Sequence, residues 1–236
     1  MAGQLYYFVT SLPQLGGLAS TPPMTGREML QRLSDAGKAF QAVETVLIFS
    51  DLLQRQAVLS GETFEPELTV LTAAQARGEH PLPDQLAIEQ KPVAHGVPAD
   101  AIWQRYFRYA AATAGVTGNK LLAAWVAWEV ALRNALVENR AKVLQLAPED
   151  YLVATDLADD ATDFSQILGE WSSAADPLEG ARVLDKARWA WITQRDMRYT
   201  FTPEELVAYA LKLMLQERWC RISRTEPDSP PARQAG

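Results

Sequence analysis

The residues with the clearest potential for chemistry are the carboxylates of the run Asp159-Asp160-Ala161-Thr162-Asp163. Hard carboxylate oxygens at this spacing can share a Mg²⁺ ion with a diphosphate group. The same residues also have a structural interpretation. Asp163 can cap a helix that begins near Phe164, and acidic side chains are favourable at the positive end of a helix dipole. The spacing alone leaves both a metal site and a helix cap open.

A run of this pattern is typical of prenyl-diphosphate enzymes, which are helical proteins that hold Mg²⁺. A Mg²⁺-dependent helical enzyme that uses the loop Asp159 to Asp163 is therefore one alternative for the function. The chain has no second acidic run of this kind. We favour the structural interpretation, and we predict no catalytic, cofactor-binding or metal-binding residues and no cofactor.

The histidines and the cysteine are weaker candidates for a functional site. His80 and His95 lie in a proline-rich segment without cysteines or carboxylates at a convincing ligand spacing, so we expect surface histidines. Cys220 is the only cysteine, which excludes an internal disulfide and a cysteine-based zinc site and fits a reducing compartment. We expect it to be buried and structural.

Charged residues on two otherwise apolar helices carry the strongest structural signal. The helix predicted for residues 120–147 is apolar over most of its circumference, except for a strip that includes Ala131 and Asn134. The last helix, predicted for residues 203–222, is similar and leaves a narrow strip with Lys212 and Gln216. The charges that project from the two apolar faces are Glu129, Arg133, Arg140, Glu217, Arg218 and Arg221.

A charge on an apolar face is costly unless it has a partner, so we predict a structural ion network between the two helices. The expected partners of its glutamates are Arg133, Arg218 or Arg221 for Glu129, and Arg133 or Arg140 for Glu217. The alternative is that these charges face a partner protein.

Helical periodicity and helix-start signals predict an all-α fold, a multi-helix bundle of long helices with a proline-rich connection. The start signals are Thr25 with Glu28, Asp176-Pro177 with Glu179, and Thr202-Pro203-Glu204-Glu205. Residues 5–12, LYYFVTSL, fit either a strand or a buried helix. We divide the chain into an N-terminal helical part (1–60), the proline-rich connection (61–97) with a short helix near 72–77, a main helical bundle (98–222) and a disordered tail (223–236).

Composition and charge restrict the partners. The chain is 48% hydrophobic with a net charge of −7, which argues against a general binder of nucleic acids or anionic membranes. The segment from Arg182 to Arg198 is a local basic exception, which we interpret as a solvated face opposite the acidic loop. No stretch resembles a signal peptide or a membrane-spanning helix, so we expect a cytoplasmic protein without direct membrane insertion.

Two segments resemble the C-type subunit of V/A-type rotary ATPases. The string from Asn134 to Lys142, NALVENRAK, is similar to the N-L-(x)4-R-A-K signature of that family, although Ala135 replaces its usual leucine. The last helix, FTPEELVAYALKLMLQERWCRI, is similar to a segment in which a glutamate is followed by arginine and isoleucine. Here Glu217, Arg221 and Ile222 take those places.

The N-terminal string YYFVTSLPQL resembles the opening of an uncharacterised bacterial family, related to the C-type subunit, whose genes lie in V/A-type ATPase operons. The positions that carry these resemblances are Tyr6, Tyr7, Pro13, Asn134, Arg140 and Glu217.

The resemblance implies a non-catalytic subunit or accessory protein of a bacterial V/A-type rotary ATPase. In the C-type family, a funnel of helices lies between the central stalk and the membrane ring and transmits torque. The implied partners are therefore the central-stalk and membrane-ring subunits, and the implied location is peripheral to the inner membrane through the complex. A transient assembly factor and a stand-alone helical protein-interaction module remain alternatives.

Overall fold

The computed structural model describes residues 2–63, 65–87 and 98–225, and it is all-α, as predicted. The described ranges contain nine α-helices and no strand. The helices are α1 (Ala2–Ser11), α2 (Gly26–Arg32), α3 (Lys38–Leu59), α4 (Ala73–Ala76), α5 (Pro98–Thr117), α6 (Lys120–Leu144), α7 (Ser165–Ser172), α8 (Pro177–Arg195) and α9 (Pro203–Thr225).

Two of the predicted helix starts are confirmed in atomic detail. Thr25 and Glu28 form a reciprocal capping box at α2, because the Thr25 hydroxyl accepts from the Glu28 amide and the Glu28 carboxylate accepts from the Thr25 amide at 2.7 Å. Asp176 accepts a hydrogen bond of 2.8 Å from the Glu179 amide and caps α8. Local sequence therefore determines where these helices begin.

The ambiguous segment 5–12 is helical up to Ser11, and Leu12 follows directly after α1. Phe8 is buried, and Leu5, Val9 and Leu12 pack against the same core. Their spacing of three and four residues places them on one face of α1, toward α9. Helical spacing therefore outweighs the β-propensity of the aromatic residues.

The core lies where α3 packs against α5 and α9, with α6 against α5 and α9. Phe49 of α3 is at its centre, with ring centroids 5.2 Å from Trp103 and 5.1 Å from Trp125 in edge-to-face geometry. This arrangement is the favourable one for aromatic pairs, because the positive edge of one ring meets the negative face of the other.

The described part of the proline-rich connection packs on this core. Leu71 and Leu86 are buried in the same cluster as the residues of α3 and α5. The short helix predicted near 72–77 is α4, which Thr72 and Gln75 begin with a second capping box. Residues 88–97 of the connection lie outside the described residues.

The end of α6 differs from the prediction. The helix ends at Leu144 and not near Pro148, because Gln145 adopts a left-handed conformation with φ 54°. Val143 is 76% exposed, and Leu144 and Leu146 are also exposed, so the predicted apolar stripe is wrong here. In this last turn of α6, Ala141 is buried, whereas Val143 and Leu144 face away from the core.

The strip of α6 predicted to face water is partly buried. Ala131 and Asn134 are buried because the loop after α6 folds back over them. The Asn134 amide donates to the Val153 carbonyl at 2.9 Å, and its oxygen accepts from the Val153 amide at 3.1 Å. The loop, and not water, supplies the hydrogen bonds of this side chain.

The polar strip predicted for α9 is also buried. Lys212 forms an ion pair of 2.6 Å with Asp196, and the Gln216 amide donates to the carbonyl of Gly17 at 2.8 Å. The segments before α2 and α9 pack on this face, so α9 is surrounded on nearly all sides. Both polar side chains bind partners distant in sequence.

The last helix runs to Thr225, three residues beyond the predicted end at Ile222. Residues 226–236, on which most of the predicted disordered tail falls, lie outside the described residues. In the ranges that the structure describes, no helix has both the length and the apolar character needed to cross a membrane.

Candidate functional site

A series of four charged residues, three buried and the fourth, Arg218, partly exposed, joins α6, α8 and α9. The Arg188 guanidinium donates to the Glu129 carboxylate at 2.9 and 2.6 Å and to Asp185 at 3.1 Å. Arg218 donates to the other oxygen of Asp185 at 2.9 Å. Glu129 is 2% exposed and Asp185 is fully buried. Two arginines and two carboxylates alternate, so this charge series has no net charge.

The electrostatics of the charge series favour the charged form of Arg188. Burial would lower the pKa of Arg188, but the charge and hydrogen bonds of Glu129, followed by those of Asp185, raise it above its usual value. An arginine between two carboxylates in the protein interior therefore stays protonated. The series is suited to holding three helices in register, not to exchanging protons.

The predicted network is correct in locating buried ion pairs on α6 and α9, and wrong in its direct pairings. Glu129 reaches α9 only through Arg188 and Asp185, which sequence reasoning missed. The segment from Arg182 to Arg198 is not simply the solvated face that its composition predicts, because Arg188 is buried. An available signal was the spacing of Asp185 and Arg188 by three residues, next to apolar positions of α8.

Arg133 and Arg140 do not contact Glu217, contrary to the prediction. Arg133 donates to Asp100 of α5 at 2.9 Å and lies over the Trp103 ring. Burial lowers the pKa of Arg133, and the Asp100 carboxylate opposes this effect. Arg140 lies 5.6 Å from the Trp171 ring centroid, so it meets α7. Each arginine of α6 thus contacts a different neighbouring helix.

Glu217 has a structural partner at the start of α2. Its carboxylate accepts a hydrogen bond of 2.9 Å from the Gly26 amide, one of the unpaired donors of that helix terminus. Burial raises the pKa of Glu217, while the Gly26 amide and the charge of Arg221 lower it less. Arg221 itself donates to the Ser50 hydroxyl at 3.2 Å. Glu217 therefore fixes α2 on α9.

Another buried carboxylate, that of Asp51, holds the loop before α4. Asp51 of α3 accepts backbone hydrogen bonds from Thr69, Val70 and Leu71 at 2.9, 2.6 and 2.8 Å. Burial raises the pKa of Asp51, and these three amides oppose the rise. Like Glu217, Asp51 replaces missing backbone partners and has no feature of a reactive group.

The acidic loop does not assemble a metal site among the described residues, where no group of three potential ligands is close enough to hold an ion. Asp159 accepts from the Ala161 amide at 3.0 Å and from the Thr162 hydroxyl at 2.7 Å. Asp163 accepts from the hydroxyl and from the amide of Ser165. The hydrogen bond from Thr162 lowers the pKa of Asp159, and that from Ser165 lowers the pKa of Asp163.

The structural interpretation of this loop needs one correction. The N-cap residue of α7 is Phe164, and Asp163 binds the first helical residue, Ser165, from one position further upstream. Its carboxylate still satisfies one unpaired amide of the helix start.

The remaining candidates show no feature of a reactive site. His80 is exposed, as predicted, whereas His95 lies outside the described residues. Cys220 is half-buried and not fully buried as predicted.

The structure also contains a groove that sequence reasoning missed. It has a volume of about 370 Å³ and lies between α1, α9 and the loop that precedes α9. Its apolar walls include Val9, Leu12, Phe201 and Leu206. We call this feature the α1–α9 groove.

The loop beside the groove is strained and tightly held. Tyr199 and Phe201 adopt left-handed conformations with φ 62° and 53°, which cost about 1–3 kcal/mol each in side chains other than glycine. Glu205 accepts hydrogen bonds from the amides of Tyr199, Thr200 and Phe201 at 2.9, 3.1 and 2.9 Å. The Thr202-Pro203-Glu204-Glu205 start signal thus serves the preceding loop as well as α9.

Polar residues at the groove are mostly paired. Asp196 accepts from buried Lys212 at 2.6 Å and from Arg198 at 3.3 Å. The Tyr209 hydroxyl donates to the Pro13 carbonyl at 2.8 Å, and burial raises the pKa of Tyr209 to about 12. The groove is therefore apolar, with one guanidinium at its edge.

Comparison with known proteins gives a match to a protein family. The family model described as "Protein of unknown function (DUF2764)" matches residues 90–228, which is more than half of the chain. No curated protein and no solved structure matches this sequence.

Proposed function

The chain belongs to the DUF2764 family of proteins of unknown function, and we propose that it is a non-catalytic subunit or accessory protein of a bacterial V/A-type rotary ATPase. In this function it couples or assembles the stalk and the membrane ring by docking of helices. The proposal combines the sequence resemblance to the C-type subunit with the mechanical character of the helical body.

The buried charge series of Glu129, Arg188, Asp185 and Arg218 is the observation that supports the proposal most directly. A protein that transmits torque must resist sliding of its helices. Apolar packing alone tolerates small shifts, whereas alternating buried charges lose their partners when one helix moves relative to another. The series ties α6, the longest described helix at roughly 37 Å, to α8 and α9.

The positions that carry the two family resemblances also have structural contacts. Asn134 is bonded to the backbone of Val153, and Glu217 to the backbone of Gly26. The Pro13 carbonyl accepts from Tyr209, and the ring of Tyr6 packs on Phe201 at 4.8 Å. Each contact joins two segments separated in sequence, which suits a rigid coupling element.

The remaining two positions differ in exposure. Arg140 lies over the Trp171 ring and joins α6 to α7. Tyr7 is exposed on α1 and is available to a partner. The family-like positions therefore include both packing contacts and accessible surface.

Affinity purification of the tagged chain at native expression from its own host tests the proposal. We expect proteins of the central stalk or the membrane ring to co-purify, and we expect the chain to be recovered with the membrane fraction through the complex. The matched control is the same tag on an unrelated cytoplasmic helical protein.

A permanent subunit would remain at constant stoichiometry after salt washing, whereas an assembly factor would be enriched only in incomplete complexes. If no component of the ATPase co-purifies under either condition, the proposal is wrong. The chain would then fit a stand-alone helical interaction module.

A further inference from the structure

From the α1–α9 groove we infer that the chain binds an amphipathic helix of a partner protein, one that carries a carboxylate beside its apolar face. This inference rests on the proposed function for the identity of the partner, another protein of the ATPase. It adds the surface that binds the partner and the chemistry of the bound segment.

The edge of the groove exposes large apolar side chains. Tyr199, which lines the groove, is 80% exposed, and Tyr6 of α1 is half-exposed where its ring packs on the lining residue Phe201. Met197, which is 71% exposed, lies in sequence between the lining residues Asp196 and Arg198. Exposed apolar residues that cluster around a groove are typical of an interaction site, whereas isolated ones are ordinary. A volume of about 370 Å³ accommodates a few side chains, such as the apolar anchors that a helix presents at every third or fourth position.

The loop that carries these side chains is already fixed in the free protein. Glu205 binds three consecutive amides of the loop, and this holds Tyr199 and Phe201 in left-handed conformations. A partner therefore meets an ordered surface and loses little free energy in ordering it. The fold maintains a strained loop that displays Met197 and Tyr199 to solvent, a combination that points to a binding role.

The charge at the edge of the groove indicates which charged group the bound segment carries. Among polar groups at the groove, Lys212 neutralises Asp196, and the loop amides satisfy Glu205. The Arg198 side chain is 53% exposed and uses only Nε, in a 3.3 Å contact with Asp196. Its terminal nitrogens have no hydrogen-bond partner among the described residues. An Arg fork beside an apolar surface suits a carboxylate, which it can bind through two parallel hydrogen bonds.

Rotary ATPase purified from membranes of a native-host strain that lacks this chain, immobilised and challenged with the full chain, tests the inference. Two variants are compared with the wild type. Tyr199→Asn removes the exposed ring, and asparagine is a residue that tolerates the left-handed conformation at this position. Arg198→Glu reverses the charge at the groove. Val116→Ser is the matched control, because Val116 is an exposed apolar residue at the end of α5, away from the groove. Circular dichroism and thermal melting confirm that each variant is folded.

We expect binding at least about tenfold weaker for Tyr199→Asn and Arg198→Glu, and unchanged binding for Val116→Ser. A photo-crosslinking residue placed at position 199 should label a protein of the ATPase, and the same residue at position 116 should not. Equal binding by wild type and both groove variants would overturn the inference and leave the proposed function intact. Crosslinks from position 199 only to a second copy of the chain would overturn it too. Absence of binding by the wild-type chain would overturn the proposed function and this inference with it.

Discussion

Arg188 and Glu129, which are 59 positions apart in the chain, form a buried bidentate ion pair with hydrogen bonds of 2.9 and 2.6 Å. The pair joins α8 to α6, and Asp185 extends the contact to Arg218 of α9. Since the series alternates in charge, each member compensates the cost of burying its neighbours. Any change to one member must therefore affect the packing of all three helices.

Replacing Arg188 with methionine should destabilise the protein by about 3–5 kcal/mol, because Glu129 and Asp185 would remain buried without their shared cation. Urea denaturation at pH 7 measures this loss as a lower transition midpoint. The matched control is Arg108→Met, whose ion pair with Asp156 is exposed and should contribute little to stability because water screens it.

The double variant Glu129→Leu with Arg188→Met should recover part of that loss, because it removes both charges of the pair. If Arg188→Met costs no more than Arg108→Met, the buried charge series does not have the structural importance that we assign to it.

Local signals in the sequence were sufficient for the capped helix starts but not for the contacts between helices. Thr25 and Glu28 lie three residues apart, so their capping box is visible in the sequence. The pairing of Glu129 with Arg188 depends on which helix faces meet, and nothing near either residue specifies that. Left-handed conformations at Tyr199 and Phe201 had no signal either, since tertiary contacts, and not glycine or asparagine, impose them.

The buried polar strip of α9 also could not be predicted from local sequence. A lysine on a polar strip usually faces water, but a loop partner, Asp196, allows the burial of Lys212. A single sequence reports how polar a helix face is. It does not report whether another segment will supply the hydrogen bonds.

Glu217→Gln should change the pH dependence of stability. Burial raises the pKa of Glu217 in the folded state above its ordinary value of 4.5, so the folded state binds this proton more tightly than the unfolded state. The unfolding free energy of the wild type minus that of the variant should therefore have its highest value below pH 4.5. It should fall as the pH rises through the folded-state pKa, and then become constant.

Glu28→Gln is a control whose effect on stability should depend on pH in the opposite direction. Its hydrogen bonds from Thr25 lower the pKa of Glu28, so the stabilisation by this carboxylate is present above pH 4.5 and lost as the pH falls through the folded-state pKa. Denaturant titrations from pH 3 to 8, in roughly half-unit steps, separate the two behaviours. A Glu217 difference that rises with pH would contradict the assignment.

Asp51→Asn should loosen the loop before α4. An asparagine has one acceptor oxygen, and its amino group would face the donors at residues 69–71, so we expect a loss of about 1–3 kcal/mol. Hydrogen exchange should accelerate at those three amides. Arg27→Ala removes an exposed hydrogen bond to the Leu68 carbonyl of the same loop and should have a much smaller effect. Equal protection of residues 69–71 in wild type and Asp51→Asn would refute this role.

Mg²⁺ with a diphosphate analogue should not raise the melting temperature of the protein. Asp159 and Asp163 bind their own loop, and the described residues offer no cluster of three ligands for the ion. Thermal shift with and without Mg²⁺ measures the effect, and Asp159→Asn is the comparison variant. A stabilisation in wild type that the variant lacks would revive the enzyme alternative.

Glu205→Gln should release the loop beside the α1–α9 groove. A neutral amide accepts hydrogen bonds more weakly than a carboxylate and offers one acceptor atom, so it cannot satisfy all three amides of residues 199–201. The left-handed conformations of Tyr199 and Phe201 would then lose the contacts that maintain them.

We expect faster hydrogen exchange at residues 199–201 and a loss of stability of about 1–3 kcal/mol. Glu204→Gln is the control, since the hydrogen bond that Glu204 makes within the described ranges is an exposed one of 3.3 Å from the Lys120 amide. Unchanged exchange at residues 199–201 would mean that packing alone holds the loop; faster exchange together with weaker ATPase binding would mean that the fixed shape of the loop contributes to recognition.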